Sequence, residues 1–599
     1  MCGIAGLIWH DGAGETLGAV CETMIGTMRH RGPNGQGTVR RSCAPTGGHV
    51  VLGAARLAIV DPGPGGNQPF HDLHTDSWLV FNGEIYNHRE IRDALGEVRW
   101  HSRSDTETVL QAYLAWGPTC LERFRGMFAL AVWDGRDSSL WCARDRLGMK
   151  PLYYFATPDG ILFASEVRAL LRSGLVPRTL DSAGLDGYAR FGALPEPATL
   201  VAGVRSLPAA SWLRVRGSEI EGPRAYWRPA CPEGSAPPAS VEVIAPGIEA
   251  ALRRAVNEHV ATETPIGCFL SGGLDSSVVT ALAAPANPRT FTLGFSDPRF
   301  DESRHAEAVA AYCGTRHLTV RLDDRTVSEQ VRRGVEASDS PSADAINTYL
   351  VARAAAATGI KVVLSGLGAD ELFGGYSTFS NLPQIERLAA LLATRPGARP
   401  RPDLDLLGLD RSRSARHDRL RAYWSDDDLR ALGFNPHVRY GDWDPPDQAP
   451  AASAVSVLEL SDYMRSMLLR DGDSMTMACS VELRLPFLDH ELVDLCLKSQ
   501  AARWAAERPK PVLRHIAASL LPAATIEGGK RGFELPLGAW MQGCMREFCL
   551  EGLDMLRDHG ALPDEVCARA DRALATGDPR WRRVWQWVVL GHWLKAHFR

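Results

Sequence analysis

Lysine is nearly missing from this chain. It stands only at 150, 361, 498, 510, 530 and 595, so 60 of the 66 basic residues are arginine, the bias of GC-rich coding. Neither charge dominates: 71 acidic residues leave a formal net charge of −5. That balance argues against a chain whose task is to coat nucleic acid or an anionic membrane. No run approaches the roughly 18 consecutive apolar residues a membrane helix needs. The start, MCGIAGLIWHDG, lacks the basic opening and long apolar stretch of a signal peptide. Among 13 cysteines there is no C-x-x-C pair, and the nearest two, Cys544 and Cys549, are too far apart for a zinc knuckle. Free thiols in a reducing cytoplasm are expected, most of them buried as small hydrophobes. What remains is a 599-residue chain, 45% hydrophobic, long enough for several domains with large cores.

Two textures divide it. Residues 1 to about 228 carry short β-leaning runs broken by glycine (GHVVLGAARLAIVD, SWLVFNGEIYN, GMFALAVWD), with a few helices such as Asp105 to Ala115. Residues 229–240, PACPEGSAPPAS, hold four prolines and little to bury, and read as a linker. From 241 to 599, apolar strands first alternate with alanine-rich helical stretches, which predicts a parallel sheet covered by helices. Beyond about Asn381 the pattern is mostly helical, and the Arg/Pro/Asp-rich stretch 395–421 reads as an exposed insertion.

Chemistry concentrates at the two domain cores. If Met1 is removed, Cys2 becomes the first residue, and an α-amine of reference pKa about 7.7–8.0 can take its thiol proton. Asn82 and Gly83 in FNGEIYN offer donors for the oxyanion formed when a thiolate attacks an amide carbonyl. Arg56 suits a carboxylate and Asp105 an ammonium, which together describe a pocket for free glutamine. With MCGIAG, RHRGP, RLAIVD, FNGEIYN, SDTE and RDRLGMKPLYY, the first 170 residues resemble the glutaminase domain of class II glutamine amidotransferases. The resemblance implies a four-layer αββα N-terminal-nucleophile (Ntn-hydrolase) fold of α+β class. Cys2 would be the nucleophile, Asn82 and Gly83 the oxyanion hole, and Arg56, Asn82, Gly83, Glu84 and Asp105 glutamine contacts. Asn34 departs from the family, which usually has aspartate after RHRGP.

In the second half Ser271-Gly272-Gly273-Leu274-Asp275-Ser276-Ser277 follows the apolar run PIGCFL and opens a helix. Glycines let backbone N–H groups approach phosphate, serines add donors, and a helix N-terminus favours the anion. No G-K-[ST] closes the loop, so it is not a Walker A motif. The pattern marks enzymes that cleave ATP to AMP and pyrophosphate. A second glycine-rich loop, in KVVLSGLGADELFGGY, again ends in acids, making Asp275 and Asp370 a pair for Mg²⁺. With FDESRHAEAVAAYCGTRH, DSPSAD, RDGDSMTMACSVELRLPFLD and GGKRGF, this half resembles the synthetase domain of glutamine-dependent asparagine synthetase. That implies an α/β parallel-sheet domain with a largely helical C-terminal region. Its chemistry would activate a carboxylate as an acyl-adenylate and amidate it with ammonia from the first domain. ATP contacts carry over to Leu270, Ser271, Gly272, Gly273, Asp275, Ser276, Leu293, Ser365 and Gly366, and Lys530 to a catalytic cation near the α-phosphate. Lys510, in KPVLR, reads instead as a helix-surface lysine.

One departure bears on the substrate. Where dedicated asparagine synthetases have S-G-E-G, this chain has Ser365-Gly366-Leu367-Gly368. Either another acid substitutes, or the acceptor is a carboxylic acid other than aspartate, such as an antibiotic or surface-polysaccharide precursor. The expected partners are therefore glutamine, ATP, Mg²⁺ and aspartate or another acid, in a cytoplasmic, homodimeric enzyme with no nucleic-acid or membrane partner.

Overall fold

The computed structural model describes residues 2–10, 14–43, 47–232, 239–393, 411–528 and 535–598. In the N-terminal half, Cys2–Trp9 lies inside a six-stranded antiparallel sheet ordered 204–206, 153–157, 160–164, 2–9, 49–56, 35–42. A second antiparallel sheet runs 219–225, 211–216, 139–144, 126–134, 77–85, 70–72. Ile4, Ile8, Leu52 and Ala54 of the first interdigitate with Val80, Ala129 and Ala131 of the second. On the other face of the first sheet Leu7 and Val51 meet Leu17, Cys21, Met24 and Ile25 of the helix Gly14–Thr27. On the outer face of the second, Phe81 and Ile85 meet Val109 and Leu110 of the helix Asp105–Trp116. The result is the expected αββα stack, and it explains why Cys2–Trp9 is buried on both faces instead of alternating.

The C-terminal half is built on a five-stranded, wholly parallel sheet ordered 316–321, 289–294, 266–269, 362–364, 482–484. The runs PIGCFL, RTFTLGF and KVVLSG supply three of these strands. The outer pair, Arg316–Arg321 and Glu482–Arg484, is too polar to announce itself. The chain order reverses between 266–269 and 362–364, and in open parallel sheets ligands bind at such a switch point, beyond the carboxyl ends of the strands. Both glycine-rich loops leave the sheet there.

The insertion expected at 395–421 falls partly outside the described residues, and the remainder is a correction. Arg413–Arg421 is a packed helix. Its His417 is fully buried, with Nε2 3.1 Å from Glu459 and Nδ1 2.9 Å from Asp462. Ion pairing, not an apolar stripe, holds this helix, so a reading from hydrophobicity takes it for exposed. Of the linker, 233–238 lie outside the described residues, while Ala230 N–H donates to Asp494 at 3.2 Å. No helix among the described residues is long and apolar enough to cross a membrane.

Candidate active site

The first site forms where the two N-terminal sheets face each other. Cys2 opens its strand opposite Arg56, and Asn82 reaches it from the second sheet. Cys2 N–H donates to Asn82 Oδ1 at 3.0 Å, which leaves Asn82 Nδ2 buried with no hydrogen-bond partner. A buried amide donor without an acceptor is costly, and a substrate oxygen would satisfy it. Gln68 directs its Nε2 at Cys2 Sγ, 3.8 Å away, and is fixed in turn by Phe81 N–H at 2.7 Å. Burial pushes the Cys2 thiol up, while the amino terminus and Arg56 pull it down. Gly83 has no room for a side chain, because a Cβ there would stand 2.3 Å from Met127 O.

Asp105 heads its helix and accepts from Ile85 N–H at 3.0 Å. Burial lifts its carboxyl to about 6. Arg56 is spent locally, donating to Gly63 O and Asn67 Oδ1 at 2.9 Å and to Asp61 O at 2.5 Å. It shapes the loop over the pocket, and a substrate carboxylate would have to compete for its donors. Glu84, two residues beyond Asn82 on the same face of its strand, reaches Arg484 of the C-terminal sheet, 3.2 Å from its Nη2. Asn34 holds Ala58 N–H at 3.0 Å, so the substitution keeps a working acceptor.

The second site is a cavity of about 470 Å³ at the switch point, within the usual range for small-molecule sites. Leu270, Ser271, Gly273, Asp275, Ser276, Ser365, Gly366 and Asp370 line it. Ser271 and Ser276 close the loop by hydroxyl contact at 3.1 Å. Gly272, at φ +79°, makes the left-handed turn, and a Cβ on it would collide with the backbone of Ala306 at 2.7 Å. Two expected contacts stand off the cavity wall. Gly272 packs against the neighbouring helix, and Leu293 turns into the core, so Phe291 and Thr292 of its strand line the space.

Lys510 requires a correction. It is 7% exposed, sits at φ 55° before the helix Pro511–Ala517, and places Nζ 2.5 Å from Asp275 and 2.6 Å from Asp370. Burial opposes its charge, but the two carboxylates prevail and hold the ammonium above the usual lysine range. A local reading of KPVLR could not see carboxylates 235 and 140 positions away; the one available signal was its survival as lysine in an arginine-rich chain. Lys530 lies outside the described residues. Glu371, the acid beside Asp370 at the end of the second glycine-rich loop, also lines the cavity, is fully buried, and accepts from Tyr376 O–H at 2.9 Å. Burial, with Asp370 beside it, lifts its carboxyl to about 8. Leu367 lines the same cavity.

A thiol site of this form joined to a phosphate-loop cavity defines an ATP-dependent amide ligase that draws nitrogen from glutamine. The chain belongs to the asparagine synthase family: the model described as asparagine synthase matches residues 247–595, and that of the glutamine amidotransferase domain matches 1–227. Among similar proteins, a putative glutamine-hydrolysing asparagine synthetase of Mycobacterium tuberculosis is 32% identical, over 99% of this chain and 97% of its own. Asparagine synthetase 1 of Bacillus subtilis is 30% identical over 92% and 89%. An amidase, chyE, of Penicillium rubens is 30% identical over 82% of each chain. Among solved structures, a glutamine phosphoribosylpyrophosphate amidotransferase from B. subtilis covers 53% of this chain and 65% of its own at 15% identity and a TM-score of 0.29.

Proposed function

We propose that this is a glutamine-hydrolysing asparagine synthetase, converting aspartate, glutamine and ATP to asparagine, glutamate, AMP and pyrophosphate. The observation that carries the reading is the joint arrangement of a buried Cys2–Asn82 pair and a phosphate-loop cavity with a paired-carboxylate wall. Cys2 attacks the glutamine side-chain amide, its proton passing to the freed α-amine once Met1 is removed. Asn82 Nδ2 and Gly83 N–H meet the oxyanion, while Asp105, Glu84 and Arg56 place the amino-acid end. Ammonia leaves, and water releases glutamate. In the cavity Leu270, Ser271, Gly273, Ser276, Ser365 and Gly366 place ATP. The acceptor carboxylate attacks the α-phosphorus, pyrophosphate departs, and ammonia displaces AMP from the acyl carbon. Lys530 is assigned to the charge that develops on the α-phosphate.

Asp275 and Asp370 converge on one cation, the Lys510 ammonium, at the mouth of the phosphate loop, a donor set of hard oxygens that fits Mg²⁺. When bound there, Mg²⁺ would neutralise phosphate charge.

A second reading, amidation of a different carboxylic acid by the same chemistry, is favoured by Leu367, whose aliphatic side chain cannot accept a proton or hold an ammonium. The test is pyrophosphate release with ATP, Mg²⁺ and glutamine across a panel of carboxylic acids that includes aspartate. Aspartate-dependent release with asparagine as product supports the first reading; release with another acid only replaces it by the second. In the second case Leu367→Glu should at least halve turnover of the true acceptor, and an unaltered rate would separate Leu367 from specificity.

A further inference from the structure

The strongest unused feature is an arginine that belongs to both sites. Arg484 is fully buried. Its Nε lies 2.6 Å from Glu482, and its Nη1 donates to His259 O at 2.7 Å. The remaining Nη2 is buried without a hydrogen bond and faces the Glu84 carboxylate across the domain boundary. Glu84 follows Asn82 and Gly83 in the same strand, and its neighbour Ile85 is tied to Asp105. The side chain of Arg484 therefore reaches the wall of the glutamine site.

Its main chain reaches the other site. Arg484 ends the strand beside Val362–Leu364, and its carbonyl accepts from Ser365 N–H at 3.1 Å. Ser365 and Gly366 line the nucleotide cavity. There is little slack beyond them, since a Cβ on Gly366 would stand 2.7 Å from Ser276 N and 2.8 Å from the Asp275 carbonyl carbon. The chain leading into this strand is held by the first site as well. Arg31 donates to Cys2 O at 3.2 Å and grips Asp473 at 2.6 Å, and Ser480 O–H donates to His30 O at 2.6 Å.

We propose that Arg484 is the positioning residue through which occupancy of the glutamine site is transmitted to the nucleotide loop, by exchange of Glu84 between Arg484 and the glutamine ammonium. The inference rests on the functional reading above. Two carboxylates share one guanidinium in the free enzyme. Glu482 is the closer and keeps its charge, its carboxyl held down at about 2 against the effect of burial, chiefly by Arg484. Burial leaves Glu84 at about 8 despite the same arginine. Above about pH 8, where Glu84 is ionised, a glutamine ammonium at Glu84 draws that counter-charge away from Arg484. The arginine is then less neutralised beside a loop that receives a triphosphate, so glutamine tightens nucleotide binding. Linkage requires that nucleotide tighten glutamine by the same factor.

The test uses the full chain carrying Cys2→Ala, so that glutamine binds without hydrolysis, and titrates it at about pH 8.5 with ATP and Mg²⁺ in the presence and absence of saturating glutamine. The expected result is a Kd for ATP lowered by about 5-fold or more, within the usual range of such couplings. Adding Arg484→Met should bring the ratio to about one, and Arg484→Lys should restore part of it, since lysine keeps the charge but not the fork. Should Arg484→Met fail to fold, Glu84→Gln decides, because it removes the exchanged charge from the other side. A ratio near one with Cys2→Ala alone, or an unchanged ratio in Arg484→Met or Glu84→Gln, overturns the proposal. If either ligand fails to bind the Cys2→Ala protein at all, the functional reading falls first; binding of both without coupling defeats this inference alone.

Discussion

Replacing Lys510 by methionine keeps the length of the side chain and removes one charge from between two carboxylates. Each ammonium–carboxylate pair is worth about 4 kcal/mol gross at about 4 Å between charge centres and an effective dielectric near 20. Burying the ammonium costs several kcal/mol in return. The side chains of Asp275 and Asp370 keep 23% and 22% of their exposure, so solvent screens part of the attraction. The net loss expected for Lys510→Met is about 2 kcal/mol, confined to the phosphate-loop side of the C-terminal half. Local stability there is read by amide hydrogen exchange along the helix Leu274–Ala283, which follows the loop. Added Mg²⁺ at about 100 times its Kd supplies up to about 2.7 kcal/mol and should restore most of the protection. Pyrophosphate release should fall at least 10-fold while glutamine hydrolysis continues. Arginine should not rescue, because Lys510 Cε already lies 2.6 Å from where a Cβ on Gly375 would stand, leaving no space for a guanidinium. Unchanged exchange and unchanged pyrophosphate release in Lys510→Met would refute the reasoning.

Cys2→Ala should abolish glutaminase activity and glutamine-dependent synthesis while ammonium salts still support product formation; loss of both activities would break the two-site scheme. Burial raises Asp105 to about 6 and Glu84 to about 8, and both must be ionised to hold an ammonium. The KM for glutamine should therefore fall as pH rises from 6 to 8.5, and initial-rate measurements showing a flat profile would remove these carboxylates from recognition. In His417 burial opposes the charge, but Glu459 and Asp462 lift the ring to about 9. Its contribution, on the order of 3 kcal/mol, is complete below about pH 6.5 and is lost as pH climbs through 9. His417→Gln should accordingly lower the denaturation midpoint more at pH 6 than at pH 9.5, and an equal drop at both would contradict the ion-pair account.

What the sequence disclosed, and what it hid, follow from the range of the forces involved. Strand and helix alternation is local, so the β-rich first half and three strands of the parallel sheet could be read from it, whereas the αββα stacking was implied only by the family resemblance. Motifs that bind through their own backbone, such as Ser271–Ser276, were legible too, because glycine and serine spacing fixes the loop shape. Contacts made by long charged side chains across the fold were not. Arg56 and Glu84 both lie in motifs assigned to glutamine, yet one is bonded to its own loop and the other to a strand 400 residues away. Composition carried part of this hidden information. Lys150 pairs with Asp473 at 3.1 Å, Lys361 reaches Asn34 at 3.5 Å, and Lys510 joins Asp275 to Asp370. Three of six lysines in an arginine-rich chain thus sit where two domains or two carboxylates meet. A compact ammonium on a flexible stem fits between two oxygens in places where a planar five-donor fork does not. Coding bias accounts for the arginines; the geometry at Asp275 and Asp370 accounts for the lysine that remains between them.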